Sequence, residues 1–208
     1  MANAIYPLVG EAKPLEEALE AYGETFAQCR AADMAAKLGF AQYQQDDGEL
    51  IESLLELLPL TETDMTLFFR QLAQVDISPQ AAQLSEAEQL APLLTAYYQA
   101  PSRTVINATC QWLADYRQRS QQSLADSGET NADRQRRMNA VNPKYVLRNY
   151  LAQQVVERVE EGDTGAVDEL LEVLRRPYDE QPEWERYAQK RPEWARAKPG
   201  CSTLSCSS

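Results

Sequence analysis

Histidine is absent from the 208-residue chain. That absence removes His–Ser and His–Cys catalysis, HExxH metalloprotease chemistry and every zinc site that needs an imidazole. Cations are scarce: 20 Lys+Arg stand against 32 Asp+Glu, a net charge of −12. A surface with no surplus of positive charge has nothing to displace phosphate counterions, so a nucleic-acid partner is not expected. No apolar run approaches the length of a membrane span, and MANAIYPLVGEAK lacks the basic start and apolar stretch of a secretory signal. Both absences point to a cytoplasmic protein without a membrane partner. Glycine is sparse, with 8 residues scattered along the chain. They form neither GxGxxG nor GxxxxGK[ST], and no HRD-like or DFG-like segment accompanies them.

What remains is mostly helical periodicity, with 44% hydrophobic residues to fill a core. An all-α chain of seven or so packed helices is expected, with no internal repeat. Pro14 sits where a first-turn proline belongs, and Leu15, Leu19, Tyr22, Phe26 and Cys29 recur at three- to four-residue spacing until Gly39 stops the helix. Asp47 is a candidate N-cap for GELIESLLELL, which Pro59 ends. Thr61 and Asp64 resemble a capping pair before MTLFFRQLA. Residues 74–84 read as a loop. Ser85 and Glu88 have the form of a capping box, and Pro92 breaks the helix they open. Pro101 and Ser102 open a helix carrying Val105, Ile106, Trp112, Leu113 and Tyr116. Residues 117–137 show no apolar face in their middle and read as an exposed connection or a charged helix end. Asn142-Pro143 is a start signal for a helix over 144–161 that places Arg148 and Asn149 mid-helix, beside its apolar stripe, and Gly162 ends it. Asp163 or Thr164 caps a last helix, stopped by Pro177. Residues 1–176 thus form the helical region. Residues 177–208 form an extended aromatic and charged tail that lies over it, with Trp184 and Trp194 pinning it down.

Chemistry-bearing clusters are few. Asp46-Asp47, Glu160-Glu161 and Asp163 are best read as solvated helix ends rather than a magnesium site. Arg134, Arg136, Arg137 and Lys144 are a solvated face or meet the chain's own acidic surface. Arg148 and Asn149 are expected in a hydrogen bond or ion pair between helices. Cys29 and Cys110 read as small core hydrophobes. Cys201 and Cys206 lie among serines near the end, as exposed, reactive thiols. An internal disulfide, a bond to a distant cysteine, and thiols with no role all remain open; zinc would need two further ligands.

Three segments carry a resemblance: MNAVNPKYVLRNYLAQ (residues 138–153), PYDEQPEWERYAQKRPEWARAKPGCSTLSCSS (residues 177–208) and TDMTLFFRQL (residues 63–72). They resemble the C-terminal part of the selenoprotein O (SelO) protein adenylyltransferases, and the likeness extends over essentially the whole chain. The resemblance implies a protein-kinase-like fold with an inverted nucleotide. It implies transfer of AMP from ATP to Ser, Thr or Tyr hydroxyls of protein substrates, with magnesium. In some members the third residue from the end is selenocysteine. Cys206 stands there, which makes it, with Cys201, the redox candidate. The family's phosphate loop, Lys–Glu pair, catalytic loop and metal-binding Asp match no position in this sequence. The resemblance therefore implies a fragment without catalytic, nucleotide-binding or metal residues, inactive alone, whose partner is the upstream catalytic portion. The other reading is an autonomous, non-catalytic helical interaction module.

Overall fold

The computed structural model describes residues 2–201, so Cys206 lies outside the described residues. Among them there are nine α-helices, five 3-10 turns and no strand; Thr63 and Tyr97 form an isolated antiparallel bridge. Local chemistry sets many of the ends. After α1 (Ala2–Val9), α2 (Lys13–Leu38) begins with Pro14 in its first turn and ends at Gly39, whose φ is +81°. A Cβ there would come within 2.7 Å of the Met138 side chain and 2.9 Å of Arg134, so both backbone and packing demand glycine. The helix α3 (Asp47–Leu57) runs into a 3-10 turn (Leu58–Leu60) at Pro59. Asp47 is its first residue rather than its cap, and its carboxylate instead accepts from the Gln44 amide at 2.7 Å.

The short α4 (Met65–Leu72) is capped by Asp64, which accepts from the Leu67 amide at 3.0 Å. Residues 74–84 are loop around a 3-10 turn (Pro79–Gln83). Ser85 and Glu88 make the capping box of α5 (Glu86–Leu90), and Pro92 turns the chain into a 3-10 segment (Ala91–Ala96). Ser102 caps α6 (Arg103–Ser127).

The polar stretch 117–137 is not an exposed connection. Its first half continues α6 to Ser127, and most of the rest is α7 (Asn131–Val141), opened by a Thr130–Asp133 capping box. Arg117, Ser120, Ser123 and Arg134 are buried within it. The seam is polar, and its two buried arginines find partners, although the buried Ser120 hydroxyl does not. Arg134 donates to the Tyr116 hydroxyl (2.7 Å), the Ala73 carbonyl (3.1 Å) and Asn131 (2.8 Å), and Arg117 donates to the Asp76 carbonyl (2.9 Å). Hydrophobic periodicity cannot register a helix whose buried face is arginine and serine.

Asn142-Pro143 does not start a helix. Asn142 is buried and closes α7, donating to the Lys37 carbonyl (2.9 Å) and accepting from Lys37 Nζ (3.1 Å). The next residues run without helical hydrogen bonds. The Lys144 and Tyr145 amides both donate to the Pro177 carbonyl, at 2.8 and 3.0 Å. That tertiary pairing outweighs local helix preference, and α8 (Asn149–Glu160) begins only after Arg148. Gly162 ends it, and α9 (Gly165–Arg175) follows.

Two hydrophobic clusters result. The first joins α2's last turn, α3, α4, α6 and Met138 of α7, with Trp112 stacked on Tyr116 at 5.0 Å. The second joins α8, α9 and residues of the tail: Tyr145, Tyr150, Leu151, Leu170, Val173, Tyr187, Ala188, Ala195 and Cys201. Of the tail, residues 177–201 are described, and they pack on the helices through the 3-10 turns Pro182–Ala188 and Glu193–Arg196.

Candidate functional site

The residues with the most chemistry gather where the tail crosses from the second cluster back to the first. Arg70 sits in the apolar run of α4, yet its guanidinium is buried. It donates to the carbonyls of Asn139 (2.8 Å), Asn142 (2.9 Å) and Tyr178 (3.1 Å) and to Glu180 (2.6 Å). Lys144 reaches Glu180 (2.7 Å) and Glu185 (2.6 Å). Lys144 therefore holds the Glu180 carboxyl below its ordinary range, with Arg70 adding to the effect.

Beside this, Arg148 clamps Asp64 with both terminal nitrogens, and Tyr98 donates its hydroxyl to the same carboxylate at 3.4 Å. The pair is sheltered, with side-chain exposures of 14% for Arg148 and 2% for Asp64. Burial pushes the Tyr98 hydroxyl up, and the Asp64 charge pushes it further. Arg148 thus makes the ion pair between elements that the sequence led one to expect, although from a helix cap rather than mid-helix.

Further along, Glu62 meets Arg191 at 2.6 Å and also Arg196. Burial raises its carboxyl, but these two arginines more than offset that and leave it below the usual range. Lys198 pairs with Glu157 and lies 5.2 Å over the Trp194 ring, which meets Tyr150 edge-on. A cleft of about 580 Å³ opens between α8 and this part of the tail, lined by Tyr150, Gln154, Glu157, Arg158, Lys190 and Trp194 among others. On α9, Glu169 accepts from Tyr187, Arg186 and Arg158; the Tyr187 hydroxyl leads in drawing its carboxyl down to about 2.

Cys201 ends this path. Against expectation it is buried, at 6% exposure, because the chain turns at Gly200 and presses onto α8. A Cβ on Gly200 would fall 2.6 Å from Gln153 Oε1. Its candidate partner Cys206 lies outside the described residues, so the two are not placed together. Cys29 is exposed rather than in a core, because among the described residues nothing covers the face of α2 that carries it. Cys110 is half-buried, which pushes its thiol up. Cys29, Cys110 and Cys201 are free thiols. Among the described residues no group of three Cys, Asp or Glu side chains is placed to hold a metal ion. Nor is any helix long and apolar enough to cross a membrane.

Of the basic cluster, Arg136, Arg137 and Lys144 do meet the chain's own carboxylates, at Asp133, Glu129 and Glu180. Arg134 does not, being the buried hub of α7. Sequence reasoning passed over Arg70, Asp64 as an ion-pair partner, and Glu62. An arginine inside TLFFRQL, where the stripe calls for an apolar residue, was the available signal for Arg70.

The sequence model of the family described as "Protein adenylyltransferase SelO" matches residues 1–175. Along its whole length the chain is 51% identical to a protein of Rhodopirellula baltica named "Protein nucleotidyltransferase YdiU", covering 39% of that protein. Proteins of the same name from Tolumonas auensis and Aromatoleum aromaticum are 48% and 46% identical over the whole chain, which covers 38% of each. The chain thus spans about two fifths of the length of these curated relatives.

Proposed function

The chain belongs to the SelO protein adenylyltransferase family, and from that premise we propose that it is the helical, tail-bearing C-terminal portion of a cytoplasmic, kinase-like enzyme that transfers AMP from ATP to hydroxyls of proteins. In this reading ATP, magnesium and the protein substrate are handled by the upstream portion of the polypeptide. The present helices brace that portion, and the tail brings the Cys206 thiol back toward it as a redox element. The observation that carries the reading is the match of the entire chain to nucleotidyltransferases more than twice its length.

The donor set supports assigning the nucleotide chemistry elsewhere. A magnesium–ATP site needs carboxylates free to meet the metal and cations free to meet phosphates. Here the two most buried carboxylates that face an arginine, Asp47 and Asp64, are already saturated by Arg119 and Arg148. Arg70 and Arg134 are spent on backbone carbonyls. These residues do not fit the group.

The test uses labelled ATP with magnesium. The 208-residue chain alone leaves no nucleotide on any protein, whereas the Rhodopirellula relative with its matched region replaced by this chain does. Labelling by the isolated chain would overturn the reading. For the tail, Cys206→Ser in that full-length protein removes the difference in AMP transfer between oxidising and reducing conditions. An unchanged redox response would remove the thiol from the proposal.

A further inference from the structure

Helix α2 is 26 residues long, about 39 Å at the helical rise, yet its buried side chains are only Ala35 and Leu38 in the last turn. Between Lys13 and Arg30 no side chain is buried. That stretch is not uniformly polar. Leu15, Leu19, Tyr22 and Phe26 follow a 4-3-4 spacing that puts them on one face. Leu19 and Phe26 are 56% exposed and Tyr22 67%, with the Tyr22 and Phe26 rings 6.1 Å apart and nearly parallel. Ala18, Gly23 and Thr25 flank the stripe at helical spacing, so a neighbouring backbone has room to approach. An ordered aromatic stripe facing water is the mark of an interaction surface rather than of a solvated helix.

We propose that the Leu19–Tyr22–Phe26 stripe of α2 is a docking face for the part of the family's polypeptide that this chain does not span, meeting it through an apolar strip. The proposal rests on the reading above and names the surface through which the two portions join. Two observations select this occupant. The family match includes α2, and the relatives that contain the matched region carry about three fifths more of their length elsewhere. Charge disfavours a second copy. The chain carries a net charge of −12, so two copies repel one another.

Hydroxyl-radical footprinting of Tyr22 and Phe26 tests it, in the isolated chain and in the full-length Rhodopirellula relative carrying this chain in place of its matched region. Docking takes both rings from more than half exposed to the few per cent of a packed contact, so labelling slows about fivefold or more. A Leu19→Glu/Phe26→Glu variant leaves the melting of the isolated chain unchanged, because both side chains face solvent there, and lowers the melting temperature of the full-length protein. Equal labelling in both contexts overturns the proposal. So does a full-length variant that melts like its parent. A full-length protein that fails to melt cooperatively while the unaltered relative does also counts against it, since the stripe then does not match its seat. An isolated chain that is already dimeric, and becomes monomeric in the Leu19→Glu/Phe26→Glu variant, gives the face to a second copy and overturns it as well. The two readings separate cleanly. AMP transfer with unprotected rings sinks the docking face alone, and protected rings without AMP transfer sink the enzymatic assignment alone.

Discussion

Replacing Asp64 probes the joint between the two hydrophobic clusters, because its carboxylate does three things at once. It caps α4 through the Leu67 amide, accepts both terminal nitrogens of Arg148 at the start of α8, and accepts from Tyr98. With Asp64 2% exposed and Arg148 14%, neither charge has water as an alternative partner. Arg148 Nε is already without a partner, so loss of Asp64 leaves the whole guanidinium uncompensated. Breaking a buried pair by removing one member costs about 3–5 kcal/mol. Asp64→Asn keeps a cap acceptor and is expected to lose about 3 kcal/mol, at the lower end of that range. Asp64→Ala adds the cap, about 1 kcal/mol. Arg148→Met removes the cation and keeps an apolar stem, and in the Asp64→Asn/Arg148→Met double variant nothing charged is stranded. The double variant should therefore cost less than the sum of the singles by about 2 kcal/mol. Urea unfolding followed by tryptophan fluorescence reads this out, since Trp112 packs in the first cluster and Trp184 against the second. Additivity within about 0.5 kcal/mol would refute the claim that this pair couples the two clusters.

Other expectations follow from the same geometry. Glu169, with its folded carboxyl drawn down to about 2 from an ordinary 4.5, contributes stability that is complete above the unfolded value and is lost as the pH falls from about 4.5 toward 2. Glu169→Gln should flatten that part of an acid-unfolding curve, and a curve unchanged by the variant would contradict the assignment. Arg134→Lys keeps the charge but not the fork that reaches Tyr116, Ala73 and Asn131. A loss of about 3 kcal/mol or more is expected by calorimetry, with a near-neutral result counting against a buried hub. Pulsed alkylation read by mass spectrometry should modify exposed Cys29 first and buried Cys201 slowly. Lys198→Ala should speed the Cys201 reaction by loosening the tail from Glu157; equal rates in variant and parent would show that the ion pair does not shield the thiol.

Much of the fold was written locally. The caps at Asp64, Ser102 and the Ser85–Glu88 box, the stops at Gly39 and Gly162, and the breaks at Pro59 and Pro92 each need only a side chain and its own few neighbours. A capping hydrogen bond spans three residues, so sequence spacing suffices to find it. The family likewise was legible in residues 63–72, 138–153 and 177–208, since side-chain identities in order are what a sequence holds. The ion pairs that hold the tail were not legible, because Glu62, Glu157 and Glu180 are unremarkable acids until residues far along the chain come beside them.

Amphipathic spacing located α2, but the same spacing that suggested a buried stripe there describes residues facing water. Periodicity fixes which side chains share a face, and not whether anything covers that face. The converse holds at residues 117–137, where a polar run is buried because Arg134 and Arg117 find carbonyls from distant loops. Asn142-Pro143 has the form of a helix start, yet the Pro177 carbonyl takes the Lys144 and Tyr145 amides and holds the chain extended. The order of residues by itself determined an all-helical chain, many of its caps and stops, and its family. Which faces are covered, where Arg148 finds its carboxylate and why Cys201 is sheltered were decided only by the tertiary structure, since burial and ion pairing depend on groups that the chain brings together from far apart.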